Sequence, residues 1–160
     1  MTFSPALEAR FAKLLDSYPP GRTRSAVVPM LLYAQDEVGH ISHELIEEVA
    51  RRCQVQPLQV DEVVGYYSML HRKPQGKCHV QVCTNISCLI LGAEDLLHQA
   101  SKTLGIGHKE VTADGLFSLE EVECMGACSW APAIQLNYDF HHNVTPEKLD
   151  QLLADVRKAH

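Results

Sequence analysis

Four cysteines in two closely spaced pairs constrain this 160-residue chain more than any other feature of its sequence. Cys83 and Cys88 form one pair, and Cys124 and Cys128 form the other. Each pair follows a segment with the pattern of a β-strand, so in a sheet of neighbouring strands both loops would emerge at the same edge. Four thiolates at one edge suit either a zinc ion or an iron–sulfur cluster. The spacing therefore predicts a metal centre between two strand ends.

The residues between the cysteines favour a [2Fe–2S] cluster over zinc. Segment 84–87 offers four backbone N–H groups and leads into the start of a helix, and both features suit an anionic centre. In the second loop, Gly126 tolerates a positive φ. Structural zinc sites more often use cysteines separated by two residues, whereas three or four residues intervene here. A structural zinc module with four cysteine ligands remains the alternative from another class, as does an iron–sulfur carrier or redox sensor that acts alone.

Other redox classes lack their defining residues. No C-x-x-C occurs, which argues against a thioredoxin-type dithiol oxidoreductase, and none of the nine histidines has the spacing of a Rieske centre. The chain also has no G-x-G-x-x-G and no phosphate-binding loop. We therefore expect any nucleotide chemistry to take place on a partner chain.

Charge and hydropathy limit the cellular setting. The net charge of −6 argues against nucleic acid as the main partner. The longest nearly apolar run, residues 26–34, is too short to span a membrane, and the N-terminus has no signal pattern. We expect a cytoplasmic protein without direct membrane insertion.

The hydrophobic pattern predicts two regions, residues 1–72 and 73–160, and the fold class α+β (α/β). The first region has helical spacing and would form a small helical bundle. Its predicted helices begin at the caps Ser4 and Ser42, near Ser25 and at Pro57. The second region has the predicted order β, α, β, β, α, with strands at 77–83, 117–124 and 133–137, a helix at 89–104 and a last helix after Thr145.

The remaining cysteines and charged groups have simpler interpretations. Cys53 and Cys78 continue apolar faces, so we expect them in the core. We expect Glu120, Glu121 and Glu123 to form a solvated face, which would lower the reduction potential of a cluster lying close to it. The histidines are expected on the surface.

Five short motifs are distinctive: CTNISC at 83–88, ECMGAC at 123–128, Ala131-Pro132, GYYSM at 65–69 and TPEKL at 145–149. Together they resemble the motifs of the thioredoxin-like [2Fe–2S] subunit of bacterial NADH:quinone oxidoreductase, respiratory complex I. The resemblance covers nearly the whole chain. Related subunits occur in NAD-linked hydrogenases and formate dehydrogenases, and these motifs do not separate the three.

The resemblance implies an electron-transfer subunit with a helical N-terminal region for partner docking and a thioredoxin-like [2Fe–2S] ferredoxin domain. Cys83, Cys88, Cys124 and Cys128 would ligate one [2Fe–2S] cluster. The subunit would dock on the flavin- and NADH-binding subunit, which alone would carry FMN and NAD, and would exchange single electrons with the flavin. It would have no catalytic residues of its own. It would lie in a peripheral arm that other subunits attach to the inner membrane.

Overall fold

The chain divides into two units that differ in secondary structure. The computed structural model describes residues 2–160; one unit ends at Pro74 and the other begins at Gln75. The first is helical, and the second combines helices with a mixed five-stranded sheet, which confirms the predicted α+β class. Within this described range, no helix is long and apolar enough to cross a membrane.

Capping residues set the helix starts of the first unit. Ser4 and Ser42 each accept a hydrogen bond at 3.2 Å on Oγ, from the backbone N–H groups of Leu7 and Leu45 respectively. These bonds satisfy donors that the first turn of a helix leaves unpaired. The helices are α1 (Pro5–Asp16), α2 (Val27–Val38), α3 (His43–Cys53) and α4 (Pro57–Tyr66), with a 3-10 turn at Thr23–Ala26 before α2.

The four helices close on one core of large side chains. Phe11, Met30, Leu31 and Leu45 are fully buried there. Cys53 lies among them with 1% of its surface exposed, and its Sγ is 3.9 Å from the Sδ of Met30. Burial raises the pKa of the Cys53 thiol to about 11, so the side chain stays neutral and packs as a small apolar group. The prediction for Cys53 is confirmed.

Charged side chains in the helical unit pair with one another. The Arg52 guanidinium donates to Glu48 at 2.6 Å and to both oxygens of Glu8 at 2.6 and 2.7 Å. Arg51 donates twice to Glu48, at 3.0 and 2.6 Å. The hydrogen bonds from Arg51 and Arg52 lower the pKa of Glu48 to about 2. This cluster therefore supplies its own counter-charges.

The second unit is built on a sheet with the strand order β2–β3–β1–β4–β5. Its strands are β1 (Cys78–Cys83), β2 (Glu110–Val111), β3 (Phe117–Val122), β4 (Ile134–Leu136) and β5 (Asp139–His141). Strands β1 and β3 are parallel, and the other neighbours are antiparallel. A parallel pair requires a crossover connection, which contains α5 (Ile86–Ile90) and α6 (Ala93–Leu104). The chain continues after β5 into α7 (Pro146–Ala159), capped by Thr145.

Three features of this unit differ from the predicted order β, α, β, β, α. Strands β2 and β5 have two and three residues, too few for an alternating pattern to show. The predicted helix 89–104 is two helices, because the chain turns at Gly92 with φ 94°. The strand predicted over 117–124 ends at Val122.

One face of the sheet packs against α6 and α7 in an aliphatic core. Side chains from β1, β3 and both helices fill it, among them Val80, Leu96, Leu119 and Leu149. Cys78 belongs to this core, and burial raises the pKa of its thiol to about 11. It therefore packs as an apolar side chain, as predicted.

Candidate metal centre at the strand ends

The parallel strands β1 and β3 end side by side, and a cysteine-containing loop follows each. Cys83 is the last residue of β1 and pairs in register with Val122, the last residue of β3. Cys88 lies within α5, Cys124 follows β3, and Cys128 begins a 3-10 turn that ends at Trp130. The prediction that both loops leave the same edge of the sheet is confirmed.

The two pairs differ in their exposure to solvent. Cys83 and Cys88 are buried, with 4% and 2% of their surface exposed, whereas Cys124 and Cys128 are exposed. All four are free thiols. One pair therefore lies beneath the surface and the other lies at it.

Interactions connect three of the thiols directly. Burial raises the pKa of Cys88, and the neighbouring thiols of Cys83 and Cys128 raise it further, since ionising one disfavours ionising the next. Cys124 is connected through its loop, because the Cys83 thiol contacts the carbonyl oxygen of Glu123 at 3.8 Å. Cys83 and Cys88 therefore interact directly, the Cys128 thiol is near enough to influence the pKa of Cys88, and the loop of Cys124 contacts Cys83.

The supply of backbone N–H donors is smaller than the sequence suggests. The Thr84 N–H donates to the carbonyl of Val122 at 3.1 Å and extends the sheet. The Ile86 N–H donates to the side chain of Asn85 at 2.7 Å, which caps α5. Two of the four groups expected to face the centre are therefore engaged elsewhere. In the second loop, the Gly126 N–H does donate to the sulfur of Cys124, at 3.4 Å, and Gly126 has the positive φ that its residue type allows.

Small side chains surround the buried thiols. Cys83 and Cys88 form a separate cluster whose other buried members are all alanines: Ala93, Ala127, Ala131 and Ala133. Val122 and Met125 are partly buried and pack against this cluster. Four thiols in two pairs, with small neighbours and an N–H donor on one sulfur, fit the ligand set of a [2Fe–2S] cluster.

Within residues 2–160, no group of three or more Cys, His, Asp or Glu side chains is arranged so that it could hold a metal ion. A zinc site and a [2Fe–2S] cluster each need four thiolates. Metal binding of either kind would therefore require the cysteine side chains to move closer together.

The acidic segment of β3 is only partly solvated. Glu120 is 6% exposed, and its Oε2 lies 3.0 Å from Nε2 of His79 and 3.1 Å from Nε2 of Gln81. The other ring nitrogen of His79 lies 2.7 Å from Oγ of Ser118. The expectation that Glu120 and His79 lie at the surface is wrong, because the β1–β3 register pairs His79 with Ser118 and Gln81 with Glu120.

Exposed apolar side chains border the cysteine loops. Ile86, Ile90 and Leu91 in and after α5 are exposed, as is Trp130 in the turn that begins at Cys128. The helical spacing predicted over 89–104 begins at Leu89, which the structure leaves exposed. The sequence of α5 is apolar almost throughout, and a helix of five residues cannot place all of these side chains on one buried face. This apolar run could have identified the exposed surface from the sequence.

Comparison with protein families gives one match that spans most of the chain. Residues 11–157 match the family described as thioredoxin-like [2Fe-2S] ferredoxin. NADH-quinone oxidoreductase subunit 2 of Thermus thermophilus is 46% identical over 152 residues, 94% of this chain and 82% of the relative. An NADH-quinone oxidoreductase subunit of Rhizobium meliloti is 41% identical over 159 residues, 99% of this chain and 91% of the relative.

Solved structures share the fold at lower identity. An NAD+-reducing [NiFe]-hydrogenase in its H2-reduced state aligns with a TM-score of 0.74 and 16% identity. The alignment covers 86% of this chain and 23% of the hydrogenase chain. The air-oxidized state aligns with a TM-score of 0.72, over 88% and 24% of the two chains. The chain thus spans about a quarter of the hydrogenase chain, and at this identity the likeness concerns the fold.

Proposed function

The chain belongs to the thioredoxin-like [2Fe-2S] ferredoxin family, and on that basis we propose that Cys83, Cys88, Cys124 and Cys128 hold one [2Fe–2S] cluster. The observation that carries this proposal is the pairing of β1 with β3, which sets the two cysteine loops at adjoining strand ends. When bound, the cluster would supply a site that accepts and releases one electron. The chain would act as an electron-transfer subunit.

The protein's own residues have three tasks in this function. The alanine cluster around Cys83 and Cys88 keeps water from the buried ligands. The Gly126 N–H donates to Cys124 and stabilises negative charge on that sulfur. Segments 78–101 and 110–147 contain no lysine or arginine, so carboxylates dominate the local field. Such a field disfavours an added electron and lowers the reduction potential.

The electron partner in this proposal is a flavin on another subunit of an NADH-quinone oxidoreductase. Relatives that match this chain over most of their length carry that name. The chain has no glycine-rich nucleotide motif, so FMN and NAD would be held by the flavin- and NADH-binding subunit. The chain would then be part of an enzyme without substrate-binding catalytic residues of its own, in a cytoplasmic peripheral arm that other subunits attach to the membrane.

The exposed apolar side chains beside the cysteine loops form the proposed docking face for that subunit. Ile86, Ile90 and Trp130 lie on the elements that carry Cys88 and Cys128. Exposed apolar side chains on ligand-bearing elements suit a protein contact that brings a redox group close. The surrounding segments contain carboxylates and no lysine or arginine, so a second copy of this chain would be repelled and a partner with a basic rim would be attracted.

Metal analysis tests the cluster. The full chain, purified anaerobically, should be brown and contain two iron and two sulfide per chain. After reduction it should give the electron paramagnetic resonance signal of one unpaired electron. Colourless protein with one zinc per chain would overturn the cluster and support a structural zinc module with four cysteine ligands instead.

Binding to the flavin-containing subunit tests the docking face. Ile90→Gln should weaken binding about tenfold, the cost of exposing one buried apolar contact to a polar group. Val111→Gln is the control, since Val111 is another exposed aliphatic side chain of the same unit and lies on the edge strand β2, which carries no cysteine. Equal effects of the two variants would contradict the docking face and leave the cluster proposal untouched.

The second candidate is the equivalent diaphorase subunit of an NAD-linked hydrogenase, and the likeness in fold to an NAD+-reducing [NiFe]-hydrogenase favours it. A subunit of a formate dehydrogenase would carry the same motifs. Each parent complex predicts the same cluster and a flavin-containing partner. The subunits that co-purify with the full chain from its native host distinguish them.

A further inference from the structure

A hydrogen bond joins one cysteine loop to the strand that leads to the other. Thr84 directly follows Cys83, and its Oγ1 donates to Oε1 of Glu121 at 2.8 Å. The Thr84 N–H donates to the carbonyl of Val122 at 3.1 Å. The Glu121 N–H in turn donates to Nδ1 of His108 at 3.0 Å. Glu121 is therefore held through both its main chain and its carboxylate.

The charge of Glu121 is not neutralised by an ion pair. Among residues 2–160, Glu121 forms no salt bridge, unlike Glu8 and Glu48 in the helical unit. Its side chain lines a groove of about 460 Å³. The residues that line the groove in the described chain include Glu94 and neither lysine nor arginine. His98 and His108 also line the groove, so the carboxylate has polar neighbours but no lysine or arginine to pair with its charge.

We propose that Thr84 and Glu121 form a clamp that fixes one negative charge at the end of the strand that carries Cys83 and lowers the reduction potential of the cluster. The proposal rests on the cluster site proposed above. The reaction is the uptake of one electron from a reductant, and no covalent bond forms or breaks. The fixed carboxylate repels that electron. A hydroxyl that donates to a charged oxygen makes a strong bond, and this bond keeps the carboxylate at the end of β1 when it could otherwise turn into solvent.

Both are positioning residues, and their substitutions separate charge from hydrogen bonding. Glu121→Gln keeps an acceptor oxygen for Thr84 and removes the charge. Thr84→Val keeps the shape of the side chain and removes the donor. Thr84→Ser keeps the hydroxyl and should behave as the unaltered chain.

A redox titration of the iron-loaded full chain, followed by electron paramagnetic resonance, gives the test. At a fixed ambient potential, E121Q should raise the ratio of reduced to oxidised cluster about three- to tenfold. A tenfold change corresponds to about 59 mV for one electron. T84V should also raise the ratio of reduced to oxidised cluster, but by less than E121Q does. The double variant should match E121Q alone, because the hydroxyl acts by placing the charge.

Thr103 and Asp150 provide the matched control. Oγ1 of Thr103 on α6 donates to Oδ1 of Asp150 on α7 at 2.8 Å. This is the same kind of threonine–carboxylate bond, in a place away from the cysteine loops. Thr103→Val and Asp150→Asn should leave the ratio unchanged. The clamp is overturned if E121Q shifts the ratio no more than D150N, or if T84V shifts it no more than T103V. It is also overturned if the shift in the double variant equals the sum of the shifts in E121Q and T84V.

Iron analysis of the unaltered chain and the variants keeps the clamp separate from the cluster proposal. If E121Q does not retain iron, the comparison of T84V with T84S carries the test alone. If the unaltered chain contains no iron, the cluster proposal fails. If it contains iron and the variants behave like their controls, only the clamp fails.

Discussion

In the helical unit, Cys53 lies among large side chains such as Phe11 and Met30, whereas in the sheet unit Cys83 and Cys88 lie among alanines. Cys53 is thus one small side chain among many larger ones. Among the described residues of the cluster of Cys83 and Cys88, by contrast, the thiols are the largest fully buried side chains, with Val122 and Met125 partly buried beside them. The first thiol serves packing, whereas the other two provide sulfur atoms that can act as metal ligands.

The two units also differ in how carboxylates are paired with positive charges. In the helical unit Arg52 lies between Glu8 and Glu48, and each carboxylate has its counter-charge. In the sheet unit Glu121 has a hydroxyl and an imidazole as partners and no cation among the described residues. The first arrangement stabilises a fold, and the second leaves a field that can act on a neighbouring centre.

Cysteine substitution gives the largest expected difference between the units. Cys88→Ser should reduce the iron content from two per chain to nearly none, because the family's cluster needs four cysteine ligands. Cys53→Ala should keep full iron and lower the free energy of unfolding by about 1–2 kcal/mol through a small cavity. Iron and sulfide analysis with denaturant unfolding measures both. Loss of iron from the Cys53 variant would contradict the distinction between a packing cysteine in the helical unit and a ligand cysteine in the sheet unit.

Core truncation in the helical unit should give the next largest effect. Leu45 is fully buried, so Leu45→Ala should lower the free energy of unfolding by about 2–5 kcal/mol. The iron content of the folded protein should stay at two per chain. Leu58→Ala, at an exposed position of α4, should change stability by less than about 0.5 kcal/mol. An iron content that falls in step with stability would show that the helical core contributes to the metal centre.

Acid should act on the helical unit through Glu48. Its pKa in the folded chain is about 2, below the ordinary 4.5, so its contribution is complete above pH 4.5 and is lost as the pH falls towards 2. We expect a loss of about 1–2 kcal/mol across that window, allowing for solvent screening. Unfolding at pH 6 and pH 3 should show this loss in the unaltered chain and not in Glu48→Gln. A Glu47→Gln control should retain it, because Glu47 has only an exposed histidine as partner.

Helix caps should give the smallest effect and no difference between the units. Ser42 and Thr145 each accept from a backbone N–H at 3.2 Å. Ser42→Ala and Thr145→Ala should each cost about 1 kcal/mol in unfolding free energy. Thermal unfolding of the two variants, with Ser42→Gly and Thr145→Gly as milder replacements, measures this. Unequal costs would mean that the units also differ in how their helices begin.

Local signals made much of the fold predictable. The helix starts at Ser4, Ser42 and Thr145 depend on contacts within one turn, so the sequence alone contains them. The strand β1 was visible from its alternation, and the edge shared by both cysteine loops followed from strand order. The resemblance to the [2Fe–2S] family is confirmed by the family match.

The features that sequence missed depend on contacts between distant segments. Glu120 looks like one member of an acidic surface run, and only the register of β1 on β3 shows that His79 and Gln81 bury it. The bond from Thr84 to Glu121 spans 37 positions and has no local sign. The spacing predicts one continuous helix across Gly92, because helical spacing persists on both sides of the break that the structure shows there.

The parallel pairing of β1 and β3 also affects the order of events during synthesis and folding. Two strands in parallel can pair only after the crossover between them has been made, so this contact forms late compared with local ones. During synthesis, the 35 residues between Cys88 and Cys124 take the ribosome about 2–7 s. For that interval the first two thiols of the proposed centre emerge without the second two. Iron delivery therefore belongs after translation of the second unit, and a nascent chain stalled before Cys124 would present reactive thiols with no site to protect them.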